Sequence, residues 1–284
     1  MPETATLLVT CPDRKGLVAT ISNLIYRHGG NILEADQHTD LEVGMFLARF
    51  EWDMEGFEIP RDRIRERLRP LAEEFEMQID IHFSNHVPKI ALFASRLPHC
   101  LLDLLQRHQA GEFKAEIAVV VSNHPDAGSI ARQYDVPFLP FPMTPETKLE
   151  QEAKEIAELQ ARGIELVVLA RYMQVLSANF ISAYPNRIIN IHHSFLPAFV
   201  GAKPYHQAFL RGVKLIGATG HYVTMNLDEG PIIEQEVARV THRDSIDDMI
   251  RKGRDLERVV LGRAVRLHLS RRVLTYGNRT VVFD

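Results

Sequence analysis

Only two cysteines, Cys11 and Cys100, occur in 284 residues, too few for a disulfide framework, and neither belongs to a paired-cysteine metal motif. Apolar runs never approach the roughly 20 residues of a bilayer span, which argues against a helical membrane protein. The opening segment MPETATLLV has no basic stretch followed by an apolar signal core, so a reducing, cytoplasmic location is expected. A basic excess is missing too: 33 Lys and Arg against 37 Asp and Glu leave a net charge of −4, so no nucleic-acid partner is expected. Internal repeats and low-complexity segments are absent. What remains is a globular composition, 45% hydrophobic and 25% charged, over a length that suits about two domains.

The first part of the chain alternates between two periods. An apolar run at Leu7–Thr10 reads as a strand, and Leu17, Ile21, Leu24, Ile25 and His28 share a helical face that Gly29 and Gly30 terminate. Ile32–His38 and Phe46–Trp52 read as strands. Ile64, Leu68, Leu71 and Phe75 return to helical spacing with a kink expected at Pro70, and Ile79, Ile81 and Phe83 alternate. The order β-α-β-β-α-β predicts a ferredoxin-like domain over residues 1–84. The polar stretch SNHVP (84–88) breaks the pattern, and a second domain is expected over 85–284. There, short branched runs at 90–94, 117–121, 166–170 and 188–191 alternate with helical segments such as 100–108 and 148–161. That rhythm predicts an α/β, Rossmann-like, mostly parallel sheet whose ligands lie beyond the carboxyl ends of the strands.

The residues following those strands carry the candidate chemistry. Asn190 and His192 lie two apart on one strand and share a face, whereas His193 should point the other way. An amide and an imidazole at a sheet's edge can both donate to a developing oxyanion, and the imidazole can move protons near neutral pH. Asp228, in the loop between strands expected at 217–224 and 231–240, is placed to orient that ring. Taken singly, His192 reads as a core histidine and Asp228 as a turn residue; the combination points to attack on a carbonyl. His192, His193, His206 and His221 cluster in sequence, but adjacent strand histidines diverge and no HExxH helix is present, so no metal is expected. Cys100 precedes an apolar helical face and reads as packing or a helix start. The stretch LARYMQVL (169–176) offers Tyr172, Met173, Val175 and Leu176 either to a flat pocket or to the core.

The segments SNH (122–124), VLARYMQVLS (168–177), INIHHSFLPAF (189–199), KPYHQAF (203–209) and GATGHYVTMNLDEGPIIEQ (217–235) together resemble the formyltetrahydrofolate deformylase family over nearly the whole chain. This resemblance implies hydrolysis of 10-formyltetrahydrofolate to tetrahydrofolate and formate, supplying formate for purine biosynthesis, with no metal or other cofactor. It implies a catalytic triad of Asn190, His192 and Asp228, and a folate pocket from Tyr172, Met173, Gln174, Val175, Leu176, Thr224 and Leu227. Gly220 departs from the pattern, which has a small side chain there. DRKGLV (13–18) and GGNI (29–32) resemble an ACT domain, which implies an amino-acid effector near Asp13, Gly16 and Asn31, or a role in homo-oligomer assembly alone. Glycinamide ribonucleotide formyltransferase shares the triad but passes formyl to an amine. Its glycine-containing phosphate loop is replaced here by SRLPHC (95–100), which favours water as acceptor. An amino-acid-sensing protein with a silent second domain is the remaining alternative.

Overall fold

The computed structural model describes residues 2–198 and 204–283. Phe199 and Lys203 of the motif segments lie outside that range. Inter-residue contacts divide the chain into two units. One comprises residues 1–87 with 271–276 and 280–284; the other comprises 88–270 with 277–279.

The first unit contains β1 (Thr4–Pro12), α1 (Leu17–Arg27), β2 (Asn31–Asp40), β3 (Met45–Asp53), α2 (Ile64–Glu74) and β4 (Gln78–Phe83). Its antiparallel sheet has the order β2-β3-β1-β4, the ferredoxin-like arrangement expected. Leu7, Val9, Ile21, Ile25, Phe50, Trp52, Ile64 and Leu68 form its core. Helix α2 runs on through Pro70. The end of the chain also belongs to this unit: Arg49, 3% exposed, donates from Nε to the Arg271 carbonyl at 3.2 Å. Arg272 donates to Glu34, and Tyr276 donates to Asp40 at 3.0 Å. Burying the Arg49 guanidinium requires acceptors on every side, and the returning segment supplies one of them.

The second unit contains β5 (Lys89–Ala94), α3 (His99–Gln109), β6 (Glu116–Ser122), α4 (Ala127–Gln133), β7 (Phe138–Pro140), α5 (Lys148–Ala161), β8 (Leu166–Ala170), α6 (Ala178–Ala183), β9 (Ile188–His192), α7 (Pro204–Arg211), β10 (Leu215–Tyr222), β11 (Ile232–Arg239) and α8 (Ile246–Leu269). The last strands, β12 (Val273–Tyr276) and β13 (Arg279–Val282), form a separate two-stranded sheet. The seven-stranded sheet has the order β11-β10-β9-β8-β5-β6-β7. Pairings from β9 through β7 are parallel, whereas β10 pairs antiparallel with β9 and β11. Strands buried on both faces have no polar face to show, which is why β5 and β8 read as continuous apolar runs. The order reverses at β5, so the carboxyl ends of β5, β8 and β9 open onto one switch point.

Gly220 marks where α8 lies on β10: a Cβ there would come within 3.1 Å of Ala264 and 3.3 Å of Val260. Gly230 is more constrained, since a Cβ would lie 1.8 Å from the Tyr222 carbonyl oxygen. That clash is with backbone and cannot be relieved by a rotamer change. Gly230→Ala is therefore expected to cost about 2 to 3 kcal/mol through forced displacement of the β10–β11 connection. Urea denaturation checks this, and a wild-type midpoint would show that the turn yields freely.

Candidate active site

Strand alternation places Asn190 and His192 on one face of β9, and the antiparallel register sets His221 of β10 directly opposite Asn190. The chain between β10 and β11 turns back so that Asp228, at φ 57°, reaches the same face. His192 Nδ1 lies 3.2 Å from Asp228 Oδ2, and His221 Nε2 lies 3.7 Å from Oδ1. Asn190 Nδ2 is 3.2 Å from His221 Nε2, while His221 Nδ1 lies 3.0 Å from the Tyr222 carbonyl. That carbonyl can only accept, so His221 carries its proton on Nδ1 and presents Nε2 as acceptor to the Asn190 amide. Burial holds the His221 pKa below the usual imidazole range, and the hydrogen bond from His192 holds Asp228 below the usual carboxylate range. His192 Nδ1–H is thereby committed to Asp228, and its Nε2 is buried with no hydrogen-bond partner.

These groups line a pocket of about 680 Å³. One wall consists of Tyr172, Met173, Gln174, Val175 and Leu176, and a second of Thr224, Met225 and Leu227, so every expected pocket residue faces the same cavity as the triad. Met173, Val175, Met225 and Leu227 are each more than half exposed, an apolar slot suited to a flat ligand. The first wall is pinned along its length. Met173 N donates to Ser95 Oγ at 3.0 Å, Lys148 donates to the Val175 carbonyl, and Ser177 N meets both Glu152 oxygens at 3.2 Å. Tyr172 stands edge-on to Phe93 and donates to the buried Glu155 at 3.3 Å.

His193 does not point away. Strand β9 ends at His192, the backbone bends, and the His193 ring stacks on His192 with centroids 5.0 Å apart and planes 27° apart. The alternation rule fails because the strand stops one residue earlier than a continuous extended run would. His221 joins the site through its place opposite Asn190, which only the pairing of β9 with β10 reveals.

Farther along the pocket, His99, Cys100 and Glu257 bring one potential ligand atom each within 4.8 Å of one another. Glu257 is already occupied: Tyr205 Oη donates to it at 3.1 Å, His99 Nε2 lies at 2.6 Å, and Arg171 Nε forms an ion pair with it at 3.4 Å. Burial pushes the Cys100 thiol well above its usual range. With a cation beside it and a protonated thiol, this is a filled ion-pair hub whose lone pairs are spoken for.

In the first unit, Gly16 caps α1 at φ 93° beside the exposed Asp13. Asn31 does not join them. Asn31 and Thr4 both pair with Asp53, whereas Asp13 follows Pro12, the far end of β1. Eight residues at about 3.4 Å each separate those levels by roughly 27 Å.

A formyl transferase family model matches residues 88–265 and an ACT domain model matches residues 5–73. The formyltetrahydrofolate deformylase of Synechocystis is 57% identical over 99% of this chain and 98% of its own length. That of Bacillus subtilis is 46% identical over 98% and 93%. The crystal structure of a deformylase of the same name from Pseudomonas syringae pv. tomato superposes with a TM-score of 0.97, at 49% identity over 100% of this chain and 95% of that one. Glycinamide ribonucleotide transformylase 1 from Symbiobacterium toebii reaches a TM-score of 0.67, at 34% identity over 72% of this chain and 98% of that one.

Burial, with Glu152 adding to it and the Tyr172 hydrogen bond opposing, pushes the Glu155 pKa up to about 8. In the unfolded chain this carboxyl ionises near 4.5. Its contribution to stability is therefore fully present below pH 4.5 and is lost as pH rises to about 8. Glu155→Gln keeps an acceptor for Tyr172 without that loss. Its stability relative to wild type is expected to rise between pH 4.5 and 8, on the order of 3 to 5 kcal/mol. Denaturant unfolding at several pH values checks it; a pH-independent difference would contradict it.

Proposed function

This chain belongs to the formyltetrahydrofolate deformylase family, and from that premise we propose that it hydrolyses 10-formyltetrahydrofolate to tetrahydrofolate and formate through Asn190, His192 and Asp228. The observation that carries the mechanism is the buried, unpartnered Nε2 of His192 beside an Nδ1–H committed to Asp228. Nε2 takes a proton from water, and the water oxygen bonds to the formyl carbon. The oxyanion that forms is met by the second N–H of Asn190 and by Nε2–H of the new imidazolium, whose charge Asp228 balances. As the tetrahedral centre collapses, the carbon–nitrogen bond breaks and the imidazolium proton passes to the departing nitrogen. Formic acid then loses its proton to solvent. The proton taken from water reaches the departing nitrogen through His192, and the mechanism calls on no metal or other cofactor.

The folate lies in the slot formed by 172–176 with Thr224 and Leu227, and formate so released serves purine synthesis. The relevant setting is a reducing cytoplasm, consistent with the free, buried Cys11 and Cys100. Among the described residues no helix is long and apolar enough to cross a membrane. We assign an amino-acid effector to the Asp13–Gly16 turn and homo-oligomer assembly to the first unit, whose edge strand β2 leaves Leu33 half exposed. Transfer of formyl to an amine is the second reading, favoured by the likeness to the transformylase fold. The 95–100 loop, with no glycine, opposes it.

Asp228→Asn and His192→Ala are expected to fold and to lose formate release by about 100- to 10,000-fold, and Asn190→Ala by about 100- to 1,000-fold. Formate production from 10-formyltetrahydrofolate with no amine present is the assay. Near-wild-type release by any one variant would remove that residue from the mechanism, and acceptor-dependent turnover of the wild type would favour transfer.

A further inference from the structure

His193 is a second imidazole in the same pocket, and the proposed hydrolysis leaves it without a task. Its surroundings determine its protonation. Arg171 donates from a terminal nitrogen to His193 Nδ1 at 2.7 Å. A guanidinium only donates, so Nδ1 must be the acceptor and the ring proton sits on Nε2. Arg171 is anchored in turn by Glu257 at 3.4 Å, and it is held at φ 63°, a left-handed conformation rare outside glycine. The Tyr205 ring covers His193 from α7, with centroids 6.2 Å apart.

We propose that Arg171, anchored by Glu257, is a positioning residue: it locks His193 as an uncharged Nε2–H ring against the face of His192. His192 then takes up the proton of water beside a neutral neighbour. Were His193 to ionise, two cationic rings would stack at 5.0 Å, and charge on His192 would be opposed just as the reaction creates it. The groups facing His193 are Arg171 from the turn after β8, His192 on its own segment, Asp228 from the β10–β11 loop, and Glu257 with Tyr205 from the helices. Burial, Arg171 and His192 bring the His193 pKa down to about 4, against the opposing pull of Glu257 and Asp228.

This inference rests on the hydrolytic reading for its consequence but not for its structural content, so the two can fail separately. Nitrogen-15 imidazole NMR of the full-length wild type reads the tautomer without turnover, with His193→Gln assigning the signal. The expected result is an Nε2–H ring that does not titrate above pH 5. In Arg171→Met the His193 midpoint should rise by at least about one pH unit. Its kcat should fall about fivefold more than that of wild type between pH 8 and pH 4, with KM changed less than about twofold. His193→Phe, a ring that cannot ionise, should keep the wild-type acid limb. A wild-type His193 protonated on Nδ1, or titrating near pH 6.5, overturns the proposal whatever the variants do. So does an Arg171→Met protein with unchanged tautomer and midpoint, or a folded His193→Phe that loses more than about tenfold in kcat at pH 8. A wild type that releases no formate overturns the hydrolytic reading alone.

Discussion

The 3.2 Å contact between the His192 imidazole and the Asp228 carboxylate places demands on everything around it. A carboxylate largely removed from water needs a partner and fixed donors, or it takes up a proton instead. His192 supplies the hydrogen bond from Nδ1–H at 3.2 Å. To bring Asp228 there, the β10–β11 connection adopts φ 57° at the aspartate and then passes so close to Tyr222 that only glycine fits at position 230. On the other side, Thr219 pairs with His192 across the sheet and holds the following turn. It accepts from Leu196 N at 3.1 Å and donates to the Ser194 carbonyl at 2.9 Å.

The same logic extends outward to two sets of buried carboxyl groups, of which Glu155 takes the protonated course. Glu152 and Glu155, on α5, hold the apolar wall at Ser177 and Tyr172. Glu257, on α8, gathers His99, Tyr205 and Arg171 in the same pocket lining. Loops that bind ligands are poor at holding their own shape. Here the 172–177 wall is held by helix α5, which carries acceptors into the interior.

Much of this was legible in the sequence because its signals are local. Period-two alternation in Phe46–Trp52, the apolar runs of β5 and β8, and the spacing of Leu17, Ile21 and Ile25 each report a single element and its buried face. The pairing of Asn190 with His192 needed only strand geometry, and Asp228 needed only a loop facing it. Features that depend on pairing between distant segments were not legible. His221 joins the site through the β9–β10 register, Asn31 lies a strand's length from Asp13 because of the sheet order, and Glu257 sits on a helix whose inward face looks merely amphipathic. Short elements such as α4 and β7 hold too few residues for a period to show. The return of residues 271–276 to the first unit involves Arg49, a buried cation one of whose acceptors, the Arg271 carbonyl, comes from the far end of the chain.

The central claim is that water attacks the formyl carbon under the control of a triad built on this one imidazole–carboxylate contact. Turnover of 10-formyltetrahydrofolate in oxygen-18 water, with formate read by mass spectrometry, measures that step directly. Incorporation of one solvent oxygen into each formate released is the predicted result, and formate that carries no label would contradict the account.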